Sequence, residues 1–321
     1  MRLHGVIDLQ VRGEQVLRDP NVWDKIKRAF GGKPDLATGN MRAALEATAL
    51  VEAMRRALER LGAHNAIALV IDDQVLFEDK QGRPDDLGDL ILAFHDAAPV
   101  FGTNFRMLRL AVEHEEAGLH MVIEMIARGE HPAAEAAARV VVSGRIQDLE
   151  PRPSESAEAY RARVEPLLKT PAAFEAHRVQ FESFVERVAG ALRAAMPDAQ
   201  VAVREAEAKV EKPAARRGRE RPPGPTDRRY DPHAHYYPSP MSDLFTMMMW
   251  GSMMSWAFMP HYTVVDYGGH DIGSTDHMDM SDSGGDLSDA GPDLADAAGD
   301  DGGDFGDGGD FGGDMDFGDW G

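Results

Sequence analysis

Leu3, Gly5, Ile7, Leu9 and Val11 alternate with Arg2, His4, Asp8, Gln10 and Arg12, with Val6 as the one exception. A period of two sends successive side chains to opposite faces of an extended chain, so this stretch predicts a half-buried strand. The period then lengthens. Asp19-Pro20 supplies a cap and a first-turn proline, Val22, Ile26, Ala29 and Phe30 share one face, and Gly31-Gly32 ends the helix. A second helix is expected over 41–61, where Ala47, Leu50, Val51, Met54, Leu58 and Leu61 recur at helical spacing before Gly62. Residues 67–71 and 75–77, joined at Asp72-Asp73, read as a tight hairpin. Pro84-Asp85 opens a third helix with Leu87, Leu90, Ile91 and Phe94 inward and Pro99 beyond its end.

Residues 105–146 carry the strongest pattern. With 115–118 as the turn, Val112 faces Met121, Leu110 faces Ile123 and Leu108 faces Met125, while Arg109 meets Glu124 and Glu113 meets His120 on the other face. Apolar opposite apolar and opposite charges together support a hairpin, because slipping by one residue would turn every side chain over. A third strand over 139–145 continues the meander. Next comes a Ser/Glu-capped helix interrupted near Pro166, then a long one from Thr170-Pro171 through Phe174, Phe181, Val185, Val188 and Leu192 to Met196. A short strand over 200–204 closes the pattern. Locally paired strands mixed with helices predict an α+β fold, a mainly antiparallel sheet covered by helices, followed by a largely disordered C-terminal region.

Charge changes the picture beyond that point. Every Lys and Arg lies at or before Arg229, while 266–321 holds seventeen Asp and no Glu, Lys or Arg. The chain is therefore divided into an α+β domain (1–205), a basic Pro-rich linker (206–240), a Met/Trp-rich apolar segment (241–266) and an acidic Gly/Asp-rich tail (267–321) whose composition cannot bury a core. With no Cys there are no disulfides or thiolate metal sites. The acidic balance argues against nucleic acid as a partner, and a signal-peptide pattern is missing at Met1, so a cytoplasmic protein is expected.

Candidate chemistry is sparse. No phosphate loop, dinucleotide fingerprint, H-E-x-x-H or nucleophile elbow occurs in a suitable context. His95, His120 and His177 are the catalytic candidates, but His120 belongs to a cross-strand charge face with Glu113 and Glu124, and His177 lies on a core-facing stripe. His233, His235, His270 and His277 could ligate a metal, but their irregular spacing gives no defined site, and neither metal nor cofactor is expected. The sharper signal is in the second half. Met247, Met248, Met249, Trp250, Met253, Met254 and Trp256 form an apolar block that is expected to contact a protein partner or a second copy of the chain. Phe305, Phe311 and Phe317 punctuate the tail every six residues as anchors, with Trp320 after them. The leading expectation is a non-enzymatic interaction or scaffold protein. Membrane association through 244–259 is one alternative, and an enzyme with an unmarked site on the α+β domain is the other.

Overall fold

A computed structural model describes residues 1–11, 39–72, 74–79, 105–129, 136–213, 223–225, 227, 229–256, 262–266 and 269–275. The helices expected at 20–30 and 85–94, His95, His277 and the four tail aromatics lie outside them. The strands are β1 (Arg2–Gln10), β2 (Asn65–Ile71), β3 (Gln74–Glu78), β4 (Met107–Glu116), β5 (Leu119–Arg128), β6 (Ala138–Ile146), β7 (Gln200–Glu211), β8 (Thr263–Val265) and β9 (Asp271–Ser274). The helices are α1 (Gly39–Glu59), α2 (Ala157–Val164), α3 (Pro171–Ala195), α4 (Pro232–Tyr236) and α5 (Ser242–Met253). All nine strands form one sheet in the order β3-β2-β4-β5-β6-β1-β7-β8-β9. Every pairing is antiparallel except that of β7 with β8, so the fold is α+β with a mainly antiparallel sheet.

The period-two pattern does what it predicts on one face. Leu3, Ile7 and Leu9 of β1, Leu110 and Val112 of β4, Ile123 and Met125 of β5, and Val140 and Val142 of β6 are all buried. They lie in one core with Leu50, Met54 and Leu58 of α1 and Phe181, Val185, Val188 and Leu192 of α3. Gly5 lets α3 come this close, since a Cβ there would stand 2.7 Å from Cγ2 of Val185. Ser156 caps α2, its hydroxyl accepting from the Ala159 amide at 3.2 Å, as the capping pattern predicts.

Two registers differ from expectation. The β4–β5 turn is the two-residue Ala117-Gly118, both at positive φ (53° and 77°), so Leu110 faces Met125 and Val112 faces Ile123. The expected four-residue turn moved every pair by two, which preserves the faces and explains why the alternation could not reveal it. Arg109 and Glu124, expected opposite one another, are diagonal neighbours and still meet at 3.0 Å. The strand expected to end at Arg204 continues to Glu211. A register shift sets Val6 opposite Glu205 and Ile7 opposite Val203, leaving Arg204 as an extra residue. That bulge breaks the phase of the alternation, so Ala206, Ala208 and Val210 read as a separate segment.

β7 thus runs through the boundary drawn at residue 205, and β8 and β9 extend the sheet beyond it. The described residues all fall in one compact unit. Among the described residues no helix is long and apolar enough to cross a membrane.

Candidate metal centre

Opposite the helices, the sheet presents Arg2, His4 and Asp8 from β1, Arg139, Ser143 and Arg145 from β6, His120 and Glu124 from β5, and Arg109 and Glu113 from β4. This face was expected to be a solvated charge surface. Instead residues 229–237 lie across it. Glu124 is 0% exposed and Arg109 6%, and His4 and Ser143 are buried.

The covering segment is held by polar contacts. Asp231 caps α4, accepting from the backbone amides of His233 (3.1 Å) and Ala234 (3.4 Å), and Pro232 takes the first helical position. The same carboxylate accepts from Ser143 Oγ and Arg145, and Arg2 stands 3.7 Å away. Burial opposes its charge, but Arg145 and Arg2 hold the Asp231 carboxyl well below the usual carboxylate range. Tyr236 donates its hydroxyl to Glu124 at 2.8 Å, and Tyr237 donates to Glu113. Asp231 and Pro232 fall in the stretch expected as a Pro-rich linker, and neither α4 nor the face it covers was read from the sequence.

This docking brings three ligand atoms together where β4, β5 and β6 share one end. His120 Nδ1 is 3.1 Å from Glu150 Oε1, His233 Nε2 is 3.0 Å from the same oxygen, and the two nitrogens are 3.3 Å apart. His120 stands at the start of β5, Glu150 follows the single 3-10 turn after β6, and His233 lies in α4. Neighbouring ligands about 2.0–2.1 Å from a tetrahedral zinc stand about 3.3 Å apart, so the triangle is of ligand size. The side chains are 13% (His120), 28% (Glu150) and 6% (His233) exposed, which leaves the approach beside Glu150 open to water.

A second layer orients the first. His120 Nε2, the ring nitrogen turned away from the triangle, lies 3.5 Å from Glu113 Oε2. Glu113 is held in turn by Asn65 Nδ2 at 2.6 Å and by the Tyr237 hydroxyl. A carboxylate behind a ligating imidazole sets the ring's tautomer and raises its basicity. Burial works against charge on His120, but its hydrogen bonds to Glu113 and Glu150 push it up to about 9. Against the cost of burial, His120 and His233 hold the Glu150 carboxyl down at about 2. Desolvation lowers His233.

The remaining sequence candidates fall elsewhere. His177 lies over the β4–β5 turn, its Nε2 3.2 Å from where a Cβ of Gly118 would be. Exposed His235 packs against Tyr230 and Tyr236, and exposed His270 pairs with Asp266 at 3.0 Å and with Arg229 at 2.9 Å. In the apolar block Met249, Trp250, Met253 and Trp256 are core residues, and Trp256 donates its indole N–H to the Leu168 carbonyl at 3.0 Å. Met247 and Met248 are half-buried and Met254 is 38% exposed. The site thus joins one residue considered for catalysis, one considered for metal and a glutamate that no local pattern marks. The chain matches no family model, and comparison with curated proteins and with solved structures found none similar to it.

Proposed function

We propose that this chain is a divalent-metal-binding protein whose ion is held by His120, Glu150 and His233. The observation that carries the reading is the closed triangle of two imidazole nitrogens and a carboxylate oxygen, with every edge between 3.0 and 3.3 Å. Protons cannot satisfy all three edges. If both rings donate to Glu150, two N–H groups confront each other across the third edge; if one ring donates to the other, an edge to the carboxylate loses its proton. One cation satisfies all three lone pairs at once. Two imidazoles and one carboxylate favour zinc or another transition ion over magnesium or calcium, which prefer oxygen ligands. Three protein ligands with a water-accessible approach is also the donor arrangement of hydrolytic zinc, which keeps a metal-dependent enzyme as the alternative use of the site.

The test is zinc titration of the full chain by calorimetry, together with metal analysis of the purified protein. One ion per chain is expected, with affinity reduced at least about 100-fold in His120→Ala and His233→Ala, and about 10-fold or more in Glu113→Gln, which keeps the side chain's size and removes the charge behind His120. Equal zinc uptake by the wild type and both histidine variants would remove the reading.

A role in protein association, in a cytoplasmic setting, is our second proposal. Its support is the half-buried apolar face of α5 at Met247 and Met248, the exposed Met254, and the repeating Asp/Phe pattern of the tail. Light scattering of the full chain tests it: Ser at these three methionines and at Phe305, Phe311, Phe317 and Trp320 is expected to abolish self-association, and an unchanged mass would count against it.

A further inference from the structure

We propose that the ion at His120, Glu150 and His233 also keeps the Met/Trp helix docked, so that losing the ion releases residues 229–256 as one piece. This rests on the metal reading above and adds a regulatory consequence to it.

The two halves of the segment hold the domain in different ways. Residues 229–237 are attached through polar groups: Asp231 to Ser143 and Arg145, Tyr236 to Glu124, Tyr237 to Glu113, and His233 beside His120 and Glu150. The second half is attached by an apolar patch of Met249, Trp250, Met253 and Trp256, with the ring of Trp256 5.6 Å from Phe174. Only residues 237–241 separate α4 from α5, and two of these are Pro238 and Pro240. Five residues reach about 17 Å fully extended, and two prolines stiffen them, so α5 cannot hold its place while α4 moves far from its own. On the N-terminal side the chain comes from a stretch with Pro213, Pro222, Pro223 and Pro225, and on the C-terminal side β8 begins at Thr263.

Two of the ligands, His120 and Glu150, belong to the body of the sheet, and the third comes from the moving piece. An ion bridging them binds the docked form and not the released one. By linkage it must favour docking, and docking must favour the ion by the same factor. The element released carries Met249, Trp250, Met253 and Trp256, which are buried while it is docked. Metal supply would then decide whether the Met/Trp face is inside the protein or available outside it.

Hydrogen exchange of the full chain, with zinc at about 100 times its Kd and then with chelator, reads the coupling directly. The opening constants for 231–237 and for 249–256 are both expected to rise about 100-fold on chelation, and zinc should change neither in His233→Ala. A second readout uses Trp23→Phe/Trp320→Phe as background, so that emission reports only Trp250 and Trp256; a red shift on chelation is expected. The reciprocal arm is Trp256→Ala, which touches no ligand: once its emission shows an undocked segment, zinc should bind at least about 10-fold more weakly. Zinc binding that protects 231–237 but leaves 249–256 and the emission unchanged overturns the release mechanism while the metal site stands. Undiminished zinc affinity in an undocked Trp256→Ala overturns it as well. An absence of zinc binding by the wild type removes the metal reading and this inference together.

Discussion

The two faces of the sheet are buried differently, one by apolar contacts alone and the other by polar pairs around a small apolar cluster of Ile67, Ala68, Ala111 and Val122. Under α1 and α3 the contacts are dry and interchangeable: Phe181, Val185 and Leu192 meet aliphatic side chains that need only suitable size and shape. Beneath residues 229–237 the partners are specific. Glu124 needs Arg109 and Tyr236, Asp231 needs Ser143 and Arg145, and each group removed leaves another one stranded. The first face supplies most of the apolar burial; the second determines where one particular segment must lie.

The sharpest break of that comparison is a pair of truncations. Phe181→Ala and Glu124→Ala are each expected to cost about 3–5 kcal/mol by chemical denaturation, the first by opening a cavity and the second by leaving Arg109 charged, buried and unpaired. The faces separate in the repair. Arg109→Met combined with Glu124→Leu and Tyr236→Phe is expected to recover most of the Glu124→Ala loss, because the apolar side chains remove both the stranded charge and the stranded hydroxyl. A triple variant as unstable as Glu124→Ala would show that the group supplies more than mutual neutralisation.

Zinc should divide the faces next. At about 100 times its Kd the ion is expected to add about 2.7 kcal/mol to the unfolding free energy of wild type and of Val188→Ala alike, and at most about 0.4 kcal/mol to His233→Ala. Equal protection of all three would mean that the ion binds elsewhere.

How far the sequence could be read follows the same division. The helical face was legible because each strand carries its own record of it: the alternation at 2–10 and 107–128, and the helical spacing at 39–59 and 171–195, are local and face-preserving. Even a register wrong by two residues left that face intact. The polar face was not legible, since an alternating strand records only that His120 and Glu124 point away from the core, and not that Tyr236 and His233 arrive from more than a hundred residues downstream. The chemistry suffered most. His120 and His233 were each visible as histidines, but Glu150 has no pattern of its own, and their convergence depends on the docking of a five-residue helix. The apolar block was visible as something that must be covered, and α5 covers part of it by packing on the domain itself.

His4 offers a pH test of the polar face. It is buried, with Lys209 and Arg2 nearby and Glu205 Oε2 3.8 Å away. Desolvation first, then Lys209, Arg2 and Arg145 against the opposing Asp231, lower it to about 3. The unfolded chain takes up this proton below about 6.5 and the folded protein only near 3, so between those values the unfolded state binds more protons and stability falls as pH falls. Between pH 6.5 and 5 the wild type is expected to lose about 1–2 kcal/mol more than His4→Gln, whose side chain does not titrate. Parallel stability–pH curves for the two proteins would show that His4 is already charged in the fold.

The smallest effect bears on the register that alternation could not choose. Ala117 sits at φ 53°, a left-handed conformation that costs a residue with a Cβ about 1–2 kcal/mol, and it precedes Gly118 at φ 77°. Two central residues at positive φ are what a two-residue hairpin turn requires, and Asn-Gly is the pair best suited to it. Ala117→Asn should therefore stabilise the protein by about 0.5–1 kcal/mol, a rise of about 1–4 °C in Tm for a chain of this size. Glycine at 117 should give less, because its added freedom in the unfolded chain offsets part of the relief. In the four-residue turn over 115–118 the pairing Glu116 to Leu119 would be lost and residue 117 would carry no such strain, so Asn there would change nothing. A flat response would restore the register with Val112 opposite Met121, and with it a different set of neighbours for Glu113 and His120.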